Sequence, residues 1–103
     1  MAKLSLDAKP TFTAKVGIPV AGSVPVSVEF TFKHRSRDDL NVFLNEAEKR
    51  TDEQTMMAMV DGWELDDEFN EANMKRLMQS YIGSTMAVVE AYIAELTQAK
   101  RKN

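Results

Sequence analysis

The sequence predicts an α+β domain in which an N-terminal β-hairpin, about residues 11–33, packs against about four helices. Three observations predict it. Apolar and polar residues alternate up to Lys33, the period of two that belongs to strands. Beyond Ser36 the apolar residues recur every three or four positions, the period of an amphipathic helix. Capping residues and glycines then divide that helical stretch into segments at about 37–50, 52–61, 71–82 and 85–100.

In the first strand Phe12, Ala14, Val16 and Ile18 alternate with Thr11, Thr13, Lys15 and Gly17. Pro19 has no N–H to give a ladder, and Ala21-Gly22-Ser23 supplies a turn. The alternation resumes with Val24, Val26, Val28, Phe30 and Phe32 on one face, and Pro25 marks a strand start or an outward edge. A two-stranded hairpin is marginal in water, so its apolar face requires a cover of helices.

Ser36 suits an N-cap, with Asp38 and Asp39 in the first turn where carboxylates favour the helix dipole. Leu40, Phe43, Leu44 and Ala47 then share one face. Thr51 and Gln54 have the spacing of a capping box and open a second helix carrying Met56, Met57, Met59 and Val60. Gly62 is its expected stop, and Trp63-Glu64-Leu65 a linker. Asn70 caps a third helix with Met74, Leu77, Met78 and Tyr81 facing inward, and Gly83 ends it. Ser84 opens the fourth helix, lined on one side by Met86, Val89, Ile93 and Leu96. The closing cations Lys100, Arg101 and Lys102 suit the carbonyl end of that helix.

A chain of 103 residues is expected to form a single domain, 1–103, with one modest core and a flexible stretch at 1–9. The formal charge of −3 argues against a nucleic-acid partner, because nonspecific affinity comes from neutralising phosphates. The absence of cysteine excludes disulfides and thiolate metal sites. No signal peptide is readable at the start, and no apolar run approaches the roughly 20 residues that span a bilayer, so no membrane partner is expected.

No residue pattern points to catalysis, a cofactor or a metal. The carboxylates Asp61, Glu64, Asp66, Asp67 and Glu68 lack the spacing of an EF-hand and fit the acidic approach to a helix. His34 is the only histidine, which leaves no histidine pair for a metal and no obvious activating base for a nucleophile. The basic run Lys33 to Arg37 could face a phosphate, but without a glycine-rich loop it reads as a solvated corner between strand and helix. Partner binding is the better lead. Seven methionines are many for this length, and methionine serves both irregular cores and adaptable surfaces. Met56, Met57 and Met59 cannot all point inward, because consecutive helical residues lie about 100° apart. Trp63 is either a core anchor between two helices or an exposed hot spot for a partner. Met56, Met57, Met59 and Trp63 are therefore the candidate partner-binding residues, together with the outer side of the fourth helix.

Phe30-Thr31-Phe32-Lys33-His34-Arg35-Ser36-Arg37-Asp38-Asp39-Leu40 resembles the strand-to-helix passage of phage tail assembly chaperones. Gly62-Trp63-Glu64-Leu65-Asp66-Asp67-Glu68-Phe69 is similar to their central Gly-Trp segment. Glu90-Ala91-Tyr92, Glu95-Leu96 and Ala99 to Asn103 resemble their ending. The resemblance covers most of the chain from Pro10 onward, with one departure at Tyr81-Ile82-Gly83, where the family pattern has proline before the glycine. It implies a non-enzymatic protein of long-tailed phages or prophages that works in the host cytoplasm and is absent from the mature virion. It further implies binding and solubilisation of the tape measure protein and recruitment of tail tube subunits, while the methionine that cannot point inward leaves a homo-oligomer open as a second kind of partner. A longer product made by ribosomal frameshifting is also implied, and Arg101-Lys102-Asn103 permits the adenine-rich run this requires. The rival reading is another phage or prophage interaction module, such as a tail structural adaptor or a host-directed inhibitor.

Overall fold

The computed structural model describes residues 4–98. Within them β1 (Thr11–Ile18) and β2 (Val26–Lys33) are followed by α1 (Arg37–Asn45) and a 3₁₀ turn at Ala47–Lys49. Then come α2 (Asp52–Met59), β3 (Val60–Trp63), α3 (Glu71–Ser80) and α4 (Ser84–Thr97). The protein is α+β, as the two periods in the sequence require. β1 and β2 pair antiparallel without interruption from Thr11↔Lys33 to Ile18↔Val26. Their turn closes with Ser23 N donating to Val20 O at 3.0 Å, and Gly22 takes the left-handed φ of +75° that a side chain would resist. The alternation holds for Val16, Ile18, Val28, Phe30 and Phe32, all buried, but Val24 and Val26 on the same expected face are 75% and 52% exposed, because the hairpin end projects past the helices that cover the sheet.

The sheet has a third strand where a helix end and a linker were expected. α2 stops at Met59, and Val60–Trp63 runs antiparallel to β2, with Phe30 opposite Trp63 and Phe32 opposite Val60. Gly62 is thus a strand residue and not a helix stop. The physical reason is the far edge of β2, whose N–H and C=O groups need partners beside a buried apolar face. β3 supplies them, and Glu64 N continues the pairing to Glu29 O at 2.9 Å. The apolar run Met56 to Val60 serves both elements, so its period does not reveal where one gives way to the other.

The helix starts follow their sequence signals. Ser36 Oγ accepts from Asp39 N at 3.1 Å, and Asn70 Oδ1 accepts from Asn73 N at 2.8 Å. The Thr51–Gln54 box closes in both directions, with Thr51 N donating to Gln54 Oε1 and Gln54 N donating to Thr51 Oγ1. The ends are shorter than expected. α1 stops at Asn45 and not near residue 50, which leaves Leu44 and Ala47 exposed. There the chain folds back, so that the Arg50 guanidinium lies 3.9 Å from the centre of the Phe43 ring and donates to the Phe43 carbonyl. α3 ends at Ser80, Tyr81 is left partly exposed, and Gly83 stands at the N-cap of α4 rather than ending α3. Gly83 also sits tight against the hairpin turn, where a Cβ would lie 3.1 Å from Pro19 Cγ. The basic residues from Lys100 to Lys102 lie outside the described residues.

α4 presents a different face to the core from the one its spacing suggested. Its buried residues are Ser84, Val88 and Tyr92, whereas Met86 is 64% exposed. Met86 stands about 200° around the helix from Val88, on the opposite side. Ala87, Val88, Val89, Ala91, Tyr92, Ile93 and Ala94 make nearly the whole circumference apolar, so periodicity alone cannot choose the inward face.

Tyr92 is the residue that joins helices to sheet. Fully buried, its ring lies 5.4 Å from Phe32, 6.1 Å from Phe12 and 6.2 Å from Phe43. Its hydroxyl donates to Lys33 O at 2.7 Å and accepts from Arg35 Nη1 at 2.9 Å. Arg35 also donates to Ala58 O at 3.0 Å, while Lys33 Nζ donates to Met57 O at 3.2 Å. Two cations from the end of β2 thereby serve the carbonyls in the last turn of α2, the end of a helix where positive charge is favourable. Tyr92→Phe removes the hydroxyl and leaves the Lys33 carbonyl one partner short. It is expected to destabilise the fold by about 1–3 kcal/mol in urea unfolding. A loss below about 0.5 kcal/mol would show that the hydroxyl network is dispensable.

Candidate partner-binding surfaces

The four candidate residues do not form one patch. Met56 and Met59 are fully buried in the core, between the sheet and the helices, and offer no surface in this conformation. The helical spacing that forbids all three methionines from pointing inward is met by Met57, which is only partly buried. Met57 lies at the Lys33 end of β2, where its carbonyl accepts from Lys33 Nζ. Trp63 is on β3, opposite Phe30, and faces a separate surface groove.

Trp63 is half-buried and held on three sides. Its ring stands edge-on to Phe69 at 5.1 Å and to Phe30 at 6.4 Å, and its Nε1 donates to Asp67 O at 2.8 Å. The acidic loop is built around this indole and the first turn of α3. Asn73 Nδ2 donates to Glu68 O at 2.7 Å, and Arg76 Nη1 donates to Asn73 Oδ1 at 2.8 Å while approaching Asp67 Oδ1 at 3.8 Å. Among the described residues no group of three or more His, Asp or Glu side chains is placed to hold a metal.

The groove beside Trp63 has a volume of about 330 Å³. Val20, Val26, Leu65, Leu77 and Tyr81 line it with Trp63, and Asp67 and Arg76 stand among the lining as its charged members. The hairpin turn forms one wall and α3 the other. Sequence reasoning missed this groove, since Val20 and Val26 flank a turn and Leu65 follows a strand it did not anticipate. The only signal was the pair of apolar residues, Trp63 and Leu65, that bracket Glu64 in an otherwise acidic stretch.

The second surface is the outer side of α4. Ile82, in the turn before the helix, is 89% exposed and Met86 64%, and Ile93 continues the row further along. Among the described residues little covers Ile82, and Met86 is covered over about a third of its surface. No helix among those residues is long and apolar enough to cross a membrane.

The sequence model of a family described as phage tail assembly chaperone matches residues 1–103, the whole chain. The chain belongs to this family. No curated protein and no solved structure matches it at a significant level. Family membership gives tail assembly as the setting in which the protein works, with tail proteins as partners.

The two polar features near Trp63 differ in weight. The Asp67–Arg76 pair is solvent-exposed on both sides, so Asp67→Ala is expected to change stability by less than about 0.5 kcal/mol. Trp63→Ala removes an aromatic ring wedged between Phe30 and Phe69 and is expected to cost about 2–3 kcal/mol, somewhat under the figure for a fully buried ring. Chemical denaturation of both variants measures the contrast, and equal effects would contradict it.

Proposed function

We propose that this protein is a non-enzymatic chaperone that binds the tape measure protein through the outer side of α4 and keeps it soluble while tail tube subunits are recruited. The observation that carries this reading is the exposed pair Ile82 and Met86, just before and within the first turn of α4, with half-buried Ile93 further along the helix. A tape measure protein built of long amphipathic helices offers the matching apolar stripe, and a helix laid along a helix face aligns apolar residues three and four apart. Half-buried Met57 supplies a second, adaptable contact, because a thioether conforms to varied partners. Met56 and Met59 contribute from beneath by fixing the helices that carry these faces.

The same reading places the protein in the host cytoplasm during assembly and outside the finished virion. It includes a longer frameshifted product, which requires an unbroken adenine run across the codons for Arg101 to Asn103; interrupted adenines there would exclude it. A tail structural adaptor would instead persist in mature particles.

Ile82→Glu with Met86→Glu places two charges on the proposed contact without touching the core. Co-expression with the neighbouring tape measure gene is expected to yield soluble, co-purifying client with the native sequence. The double variant should lower the soluble client at least tenfold with the melting temperature of the chaperone unchanged. Undiminished client recovery would remove α4 from the contact.

A further inference from the structure

The sheet has two edges, and the fold treats them differently. At one edge β3 is four residues long, and its pairing with β2 shifts register between Thr31 and Phe32. At the other, β1 runs for eight residues with no bulge and no internal proline. Short strands and irregular pairing are ordinary ways to blunt an edge, and β1 has neither.

The register shows which groups that edge presents. His34 N donates to Pro10 O at 2.8 Å, and these two residues stand opposite each other one step before Thr11↔Lys33. In an antiparallel ladder bonded pairs alternate with unbonded ones. Phe12, Ala14 and Val16 therefore spend their N–H and C=O groups on β2, while those of Thr11, Thr13, Lys15 and Gly17 point away from it. The bond from Glu64 N to Glu29 O agrees, because Glu29 is opposite Lys15 and turns its carbonyl toward β3. Among the described residues nothing pairs with the outward groups, a row about 20 Å long. Thr13, Lys15 and Gly17 are all exposed.

The natural complement of such a row is another extended backbone, and the flanking side chains describe it. On one face stand the partly buried Phe12 and Ala14, and Phe12 borders a hollow of about 380 Å³ that Leu96 also lines. On the other face stand Thr13 and Lys15. Lys9 and Lys15 are the only charged residues from 9 to 18, so this edge is cationic in a chain of net charge −3.

We propose that the free edge of β1 takes up an extended segment of a partner tail protein, in which apolar residues alternate with acidic ones. The apolar set covers Phe12 and the hollow beside it, and the carboxylates face Lys9 and Lys15. The added strand bonds to Thr11, Thr13, Lys15 and Gly17 and makes the sheet four-stranded. This edge is separate from the exposed pair at the start of α4, so either contact stands or fails without the other.

The probe is a peptide as long as β1, alternating valine and glutamate and blocked at both ends, with a valine–lysine peptide as its control. In amide hydrogen exchange of the full chain, the acidic peptide should slow Thr13 and Lys15 at least tenfold and leave Phe12, Ala14 and Val16 unchanged. Docking through side chains alone would not produce that alternation. Thr13→Pro removes an outward N–H without touching the ladder to β2, and Lys15→Glu reverses the charge with the backbone intact. Each should weaken the acidic peptide at least tenfold, and Lys15→Glu decides if the proline lowers the melting temperature. The basic peptide should bind the native protein at least tenfold more weakly than the acidic one. Unchanged exchange at millimolar acidic peptide would overturn the proposal. So would protection gained equally by both sets of amides, or equal binding by Lys15→Glu and the native protein.

Discussion

The rest of the structure depends on how the Tyr92 hydroxyl is held. A buried phenol needs a hydrogen-bond partner, and this one has two, the Lys33 carbonyl and the Arg35 guanidinium. Both belong to the few residues where β2 gives way to α1. Arg35 in turn reaches the Ala58 carbonyl, near the end of α2, and lies 4.1 Å from the centre of the Phe43 ring on α1. One phenol and one guanidinium thus connect the last helix, the sheet, α1 and α2. Hydrogen bonds to a charged group in a low-dielectric setting are stronger than neutral ones, so the junction sets the angle at which helices cover the sheet. The basic corner at Lys33 to Arg37 is therefore partly structural: half-buried Arg35 is spent on α2 and Tyr92, and Lys33 reaches the Met57 carbonyl from an exposed position.

Much of the fold was legible from residues with a single physical use. Alternating Val and Phe can only be a strand with one buried face, and Ser36, Thr51 and Asn70 cap helices because their side chains replace missing acceptors. What the sequence hid were segments with two uses. Met56 to Val60 satisfies a helix and a strand alike, and the change between them is set by the empty edge of β2. The circumference of α4 is apolar on nearly all sides, so its orientation is fixed by the Tyr92 hydroxyl, a polar atom that no hydrophobic period registers. Leu44 and Ala47 fit a helical stripe, but α1 ends one residue after Leu44 and Ala47 belongs to a turn that folds back to Arg50.

The candidate site was legible to a lesser degree, for the same reason. Methionine content signals adaptable packing without saying which side chains remain at the surface. Two of the three methionines fill the core, and Met57 stays partly accessible because its neighbours claim the inward positions. Trp63 proved to be both an anchor, between Phe30 and Phe69, and a wall of a groove. The groove itself is a product of topology: residues from the hairpin turn, from the end of β3 and from α3 meet only once the chain has folded.

Gly83 and Pro19 meet at the point where the groove and the outer face of α4 come nearest to each other in the chain. A side chain at 83 would press on the proline ring from 3.1 Å, so the two turns are seated with no room between them. The hairpin tip carries one wall of the groove and the 82–84 turn carries Ile82 and the start of α4. Rigidly abutting parts transmit displacement, because close-packed interiors compress little. A side chain at 83 would have to part the hairpin tip from the 82–84 turn, so one wall of the groove and the start of α4 hold their spacing through a single missing Cβ.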